Sequence, residues 1–301
     1  MMIKIVEVGP RDGLQNEKTI LSTDDKFEFI SLLAKSGLQT IEVTSFVKAE
    51  AIPQMSDAAN LFQKVNEKLG KTQINFPCLV PNVKGYEAAK NLGVKEIALF
   101  AATSDSFTKK NVNATVAKTF EKMKEVASLA LKDKVRMRGY ISTAFGCPYE
   151  GKMDVKKLLQ VTESFFELGV YEVSVGDTIG VATPNQVRDY IKELKKNFPV
   201  DKLAMHFHDT RGMALINIHV SLEEGIKTFD SSAGGLGGCP YAKGATGNVA
   251  TEDVWYLLQS LGLETGIDIS KLAAASKFIL EKVNKKTESK FLTAYFNTGK
   301  V

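Results

Sequence analysis

Ala204-Met205-His206-Phe207-His208-Asp209-Thr210 reads as a β-strand that runs straight into a turn. Strand side chains alternate between faces, so His206 and His208 point the same way, and two imidazoles on one face can hold one metal ion. The chain has only three histidines, and two of them stand here, just before the turn-forming Asp209-Thr210-Arg211-Gly212. A pair of hydrogen-bonded core histidines is the competing reading. What decides between them is whether other strands bring chemistry to the same place.

Seven more β-rich runs share the pattern: Ile3 to Val8, Thr40 to Phe46, Ile74 to Val80, Glu96 to Ala102, Arg136 to Thr143, Tyr171 to Val175 and Thr228 to Ser232. Helix-period segments follow at Asp24 to Ser36, Ser56 to Leu69, Lys84 to Leu92, Thr115 to Leu131, Asp154 to Leu168, Pro184 to Asn197, Met213 to Glu224 and Asn248 to Leu261. Ser22-Thr23-Asp24-Asp25 offers a cap and first-turn acids, Thr183-Pro184 places proline at a first helical position, and Gly37, Gly93, Gly169 and Gly225 each follow a helix. Eight strand-helix units without a polar linker predict an α/β fold, a (β/α)₈ TIM barrel, over 1–265. The segment 266–301 adds a helix, Ser270 to Val283, and a polar aromatic tail, and is expected to be an extension of the same domain. No dinucleotide fingerprint competes, because the glycines Gly234 to Gly238 follow the last strand instead of the first.

Barrels of this kind place their chemistry at the C-terminal ends of the strands, and here the ends agree. The first strand runs into Gly9-Pro10-Arg11-Asp12-Gly13-Leu14-Gln15-Asn16-Glu17, the second carries Glu42, and the sixth leads to Gly176-Asp177-Thr178. After the eighth come the glycines, Cys239 and Asn248. A carboxylate, two imidazoles and a side-chain amide make a site for a divalent ion with positions left for water and substrate, so Asp12, His206, His208 and Asn248 are the expected ligands. Oxygen and imidazole donors without thiolate favour magnesium or manganese over structural zinc. Arg11 is read as an ion-pair partner of Glu42 or Asp177, and also as a cation for an oxygen on which charge develops. Asp177 serves equally as a turn residue. Cys239, flanked by glycines, could exchange a proton with a carbon acid, whereas Cys78 reads as core and His219 as structural.

The 39 basic and 35 acidic residues are interspersed, leaving +4, which excludes a nucleic-acid footprint while suiting an anionic small molecule. Three cysteines cannot build a disulfide framework, and no membrane segment is visible, so a cytoplasmic protein is expected.

Val8 to Glu17, His206-Phe207-His208-Asp209-Thr210 and Gly235 to Asn248 together resemble the 3-hydroxy-3-methylglutaryl-CoA lyase family nearly end to end. Claisen-type synthases of related fold usually differ at Leu14 and lack the Gly238-Cys239-Pro240-Tyr241 loop. The resemblance implies metal-dependent retro-Claisen cleavage of 3-hydroxy-3-methylglutaryl-CoA to acetyl-CoA and acetoacetate. It further implies Arg11 at the enolate oxygen, Cys239 at the enolate carbon, Glu42 behind Arg11, and His206, Asp12 or Asp177 as base. Gln15, Tyr140 and Ser174 are expected near the acyl group, with Lys110 and Asn111, in a loop after the fourth strand, near CoA. A related barrel aldolase or acyl-CoA synthase is the alternative. A homodimer is expected, though the residues themselves do not derive it.

Overall fold

The computed structural model describes residues 2–238 and 247–298. Eight parallel strands form its centre: β1 (Lys4–Glu7), β2 in two stretches (Thr40–Ile41 and Thr44–Ser45), β3 (Cys78–Leu79), β4 (Glu96–Ala102), β5 (Arg136–Ser142), β6 (Glu172–Asp177), β7 (Leu203–Phe207) and β8 (Thr228–Ser231). The break in β2 is where the sheet closes. Thr40–Ile41 pairs with β1 and Thr44–Ser45 pairs with β3, while β1 pairs with β8 by setting Lys4 opposite Thr228. Between the two stretches Glu42 N–H donates to the Glu7 carbonyl (2.9 Å) and Val43 N–H to the Pro77 carbonyl (2.9 Å), so one strand serves both neighbours. Through that strand the two ends of the sheet join and it closes into a barrel.

Helices wrap it: α1 (Thr23–Lys35), α2 (Ala58–Leu69), α3 (Val83–Asn91), α4 (Asp105–Val112), α5 (Val116–Lys132), α6 (Val155–Glu167), α7 (Pro184–Asn197), α8 (Ala214–Glu223), α9 (Thr251–Ser260), α10 (Ile269–Val283) and α11 (Lys290–Asn297). Ser22 and Thr183 cap α1 and α7 by accepting from Asp25 N–H and Gln186 N–H. Gly37, Gly93, Gly169 and Gly225 all take positive φ. At Gly37 this matters beyond the turn, because a Cβ there would run into the Gly266 carbonyl, where the C-terminal segment crosses α1.

Several boundaries differ from those the sequence predicts. The third strand shrinks from Ile74 to Val80 to Cys78–Leu79, and the last barrel helix begins at Thr251, because Asn248 and Ala250 are held extended in bridges to His208 and Ser232. Lys109-Lys110-Asn111 lies in α4 and not in a loop; Ser104 caps that helix, which is too short for its periodicity to stand out. The aromatic tail likewise forms α11, capped by Ser289.

Two layers of burial follow from strand alternation. Outward-facing Val173, Val175, Phe207 and Phe229 pack under the helices in one apolar core, which Leu272, Ala275, Ile279 and Val283 of α10 also join. Inside the barrel the packing is ionic. Arg138, fully buried on β5, reaches Glu172 on β6 and crosses to Asp230 on β8, and Lys4 on β1 reaches Glu172 from below.

Candidate active site

The mouth is organised by the turn after β1. Gly9–Gly13 forms a single π-helical turn in which the Val8 carbonyl accepts from the N–H groups of Arg11, Asp12 and Gly13, fixing both charged residues at the rim. Arg11 is 6% exposed. One guanidinium nitrogen lies 2.8 Å from Glu42 and the other 2.6 Å from Asp12, with the group 5.4 Å from the Tyr140 ring centre. Burial works against its charge, yet Glu42 and Asp12 outweigh it and hold the cation firmly protonated. Tyr140 O–H donates to Glu42 (3.3 Å), and burial raises the Glu42 carboxyl against the pull of Arg11.

Asp12, His206 and His208 bring one ligand atom each within 4.8 Å of one another. Burial alone would raise the Asp12 carboxyl, but Arg11, the two histidines and the Asn248 amide bring it down to about 2, so it is ionised. His208 is pushed down to about 4 by burial and by His206, leaving a neutral ring at pH 7. His206 presents Nε2 to Asp12 at 4.0 Å while Nδ1 lies 3.3 Å from Asp230. Asn248 donates to Asp12 (2.9 Å). The donor set fits a divalent ion on one further observation: among the described residues neither the buried His208 Nδ1 nor the buried acceptor Asn248 Oδ1 has a hydrogen-bond partner, a costly state unless something electropositive sits by the amide oxygen.

These groups open into a cavity of about 580 Å³ whose wall includes Gln15, Tyr140 and Ser174 and also Asn82, Asn111 and Lys122. Asp177 and Lys110 do not line it. Both Asp177 oxygens accept from backbone amides, Val181 (3.0 Å) and Ala182 (2.9 Å), which is the turn role; burial still lifts its carboxyl to about 6. Lys110 stands over the Tyr149 ring, 4.4 Å from its centre. Cys239 lies outside the described residues. Cys78 is buried core, as expected, and His219 sits on the face of α8, 3.6 Å from Glu223.

The HMGL-like family profile matches residues 2–279. This chain belongs to the HMGL-like family. It is 47% identical over 292 residues to the human mitochondrial hydroxymethylglutaryl-CoA lyase, spanning 97% of this chain and 89% of that protein. It is also 48% identical over 295 residues to the mouse cytoplasmic 3-hydroxy-3-methylglutaryl-CoA lyase, spanning 98% and 85%. The crystal structure of the Pseudomonas aeruginosa hydroxymethylglutaryl-CoA lyase superimposes with a TM-score of 0.95 at 45% identity, covering 99% and 98% of the two chains. An HMG-CoA lyase from Acinetobacter baumannii, solved with coenzyme A and 3-methylmalate, gives 0.92 at 33% identity, covering 97% and 95%. The barrel alone is shared with the carboxyl transferase domain of Rhizobium etli pyruvate carboxylase, at 16% identity and a TM-score of 0.72 over 94% of this chain and 47% of that one.

Sequence reasoning missed the groups that brace this HMGL-like site from behind. Glu7 accepts from the amides of Gly9 (2.8 Å) and Ala233 (2.9 Å) and from Thr251, tying the Arg11 turn to the start of the glycine-rich loop. Glu252 takes the next amide, Gly234, with Ser276 as a second donor. A glutamate beginning a helix or ending a strand reads as a surface residue, so no signal marked either one. Burial raises Glu7 to about 7 and Glu252 to about 8 despite these hydrogen bonds. A carboxyl raised on folding adds stability that is full below its ordinary range and lost as pH climbs through the folded value. Melting temperatures of metal-free protein are therefore expected to fall as pH rises toward about 8. Glu252→Gln, which keeps an acceptor for Gly234, should flatten that fall and gain on the order of 3 kcal/mol over the unmodified protein above it. An unchanged pH profile in the variant would mean that Glu252 does not titrate there.

Proposed function

We propose that this chain cleaves 3-hydroxy-3-methylglutaryl-CoA to acetyl-CoA and acetoacetate. The observation that carries this is the junction at the barrel mouth, where a permanently charged guanidinium lies against a three-residue ligand cluster beside a cavity large enough for an acyl thioester. Asp12, His206, His208 and Asn248 would hold magnesium or manganese, as oxygen and nitrogen donors prefer. Bound there, the ion would supply Lewis acidity that orients the substrate and acidifies its 3-hydroxyl.

The remaining chemistry belongs to side chains. Asp12 or His206 takes the hydroxyl proton, because Asp177 does not line the cavity. The C2–C3 bond then breaks, its electron pair passes to the thioester as an enolate, and C3 becomes the ketone of acetoacetate. Arg11 faces the enolate oxygen and neutralises it, with Glu42 fixing the guanidinium plane. Cys239 is assigned the proton delivered to the enolate carbon. Gln15, Tyr140 and Ser174 contact the acyl portion, and Asn111 on the cavity wall, with Lys110 beside it in α4, meets CoA.

Among the described residues no helix is long and apolar enough to cross a membrane, and the relatives include mitochondrial and cytoplasmic forms. We place this chain in the cytoplasm, as a homodimer, with 1–265 as the catalytic barrel and 266–301 as its extension. Buried Cys78 and Cys147, free of disulfides among the described residues, fit a reducing compartment, and the α10 residues within the barrel's core support the extension as part of the same domain.

Acetoacetate release from chelator-stripped protein tests the reaction. None is expected until magnesium or manganese is returned, and activity should then recover by at least about 100-fold. Absence of product with either ion, in folded protein that binds the ion, would transfer the site to a related aldolase or acyl-CoA synthase reaction.

A further inference from the structure

His206 is held from behind by a group that neither the family resemblance nor the mouth geometry assigns. Asp230, opposite it on β8 in strand register, is fully buried and uses both oxygens. Oδ2 receives Ser174 O–H at 2.6 Å and lies 3.3 Å from His206 Nδ1. Oδ1 receives Arg138 Nη2 at 2.8 Å. Arg138 is itself fixed on its other side, Nε to Glu172 at 2.7 Å, and Glu172 takes Lys4 at 3.3 Å and Thr228 at 3.2 Å. A fixed ionic chain thus runs up the inside of the barrel and ends on one imidazole.

We propose that Asp230 is a positioning residue that sets the tautomer of His206 for metal binding. This rests on the ligand set proposed above. A buried carboxylate only accepts, so the neutral His206 ring carries its hydrogen on Nδ1, which leaves the Nε2 lone pair on the side of Asp12. Arg138 and Ser174 keep the carboxylate from rotating away, since each oxygen already has its donor. The rotamer of His206 and the side that bears its proton are decided together, before any ion arrives.

Asp230→Asn separates positioning from simple packing because it is isosteric. Arg138 can only donate, so the asparagine oxygen must turn to Arg138 and its NH₂ must turn to His206. The ring then accepts at Nδ1 and carries hydrogen on Nε2, pointing a proton into the metal site. Expected for the metal-free variant is the opposite His206 tautomer by imidazole ¹⁵N NMR at alkaline pH, a spectrum with only three rings to assign. Manganese affinity by calorimetry should fall roughly 10- to 100-fold, with far-UV circular dichroism unchanged.

Manganese bound within about twofold of the unmodified protein, with the tautomer unchanged, would overturn the assignment. If the variant does not fold, the unmodified protein still decides: an Nε2–H tautomer of His206 there overturns it, and an Nδ1–H tautomer supports it. Failure of the unmodified protein to bind manganese would instead remove the ligand set, a separate result.

Discussion

Replacing Arg11 by lysine is expected to lower kcat by about 100-fold or more, equivalent to about 3 kcal/mol of lost transition-state stabilisation, while KM moves little. Lysine keeps the charge but not the geometry. The two terminal guanidinium nitrogens engage Glu42 and Asp12 at once, and the buried Nε has no partner among the described residues, so the group is a rigid plate held at two corners with a third donor in reserve. A single ammonium on a flexible stem could satisfy one carboxylate and would leave the fully buried Glu42 short of its counter-charge. Charge appears on the thioester oxygen only as the bond breaks, so loss of the fitted donor falls on kcat. Steady-state kinetics at saturating magnesium, with manganese binding as a control on Asp12, would check this. Turnover within about twofold of the unmodified enzyme would remove Arg11 from the enolate oxygen.

The second large effect is expected at Arg138, inside the barrel beneath the mouth. Arg138→Met should cost about 3–5 kcal/mol of folding stability, because it leaves Asp230 and Glu172 buried with their principal cation gone. Methionine fills much of the volume, so a cavity is not the cause. Asp230 would retain Ser174 and His206, and Glu172 would retain Lys4, partners that soften the loss without cancelling it. Urea unfolding of the metal-free protein measures it. A loss below about 1 kcal/mol would mean that water enters the barrel and solvates the carboxylates.

The barrel and the residues at its mouth were legible because each rests on local pattern. Alternation placed His206 and His208 together, end-of-strand position brought in Asp12 and Glu42, and left-handed glycines marked the helix ends. Asp12, His206, His208 and Asn248 do converge, and Arg11 does lie between Glu42 and Asp12. What escaped was the barrel interior. In Arg136-Met137-Arg138-Gly139-Tyr140 the same alternation gives a polar face, which in most strands means solvent, and only closure of the sheet turns that face inward. Partners such as Arg138 and Asp230, on strands that are not neighbours, leave no trace in spacing. Asp177 was drawn toward catalysis by its position at the end of β6, although its carboxylate serves the turn beside it. The helix α4 was hidden by its brevity, and Glu7 and Glu252 by resembling surface acids.

Closure through the first strand also has a consequence for synthesis on the ribosome. β1 pairs with β8, and Asp12 meets Asn248 across 236 residues of chain, so neither the seam nor the full ligand cluster can exist until β8 and Asn248 have emerged. At roughly 5–20 residues per second, β1 waits on the order of 10–50 seconds with one side unpaired, the interval in which an exposed strand invites association with other chains. Products truncated or stalled before Asn248 should therefore be both sticky and short of a metal ligand, and metal binding becomes a signal that the last barrel strand has been made.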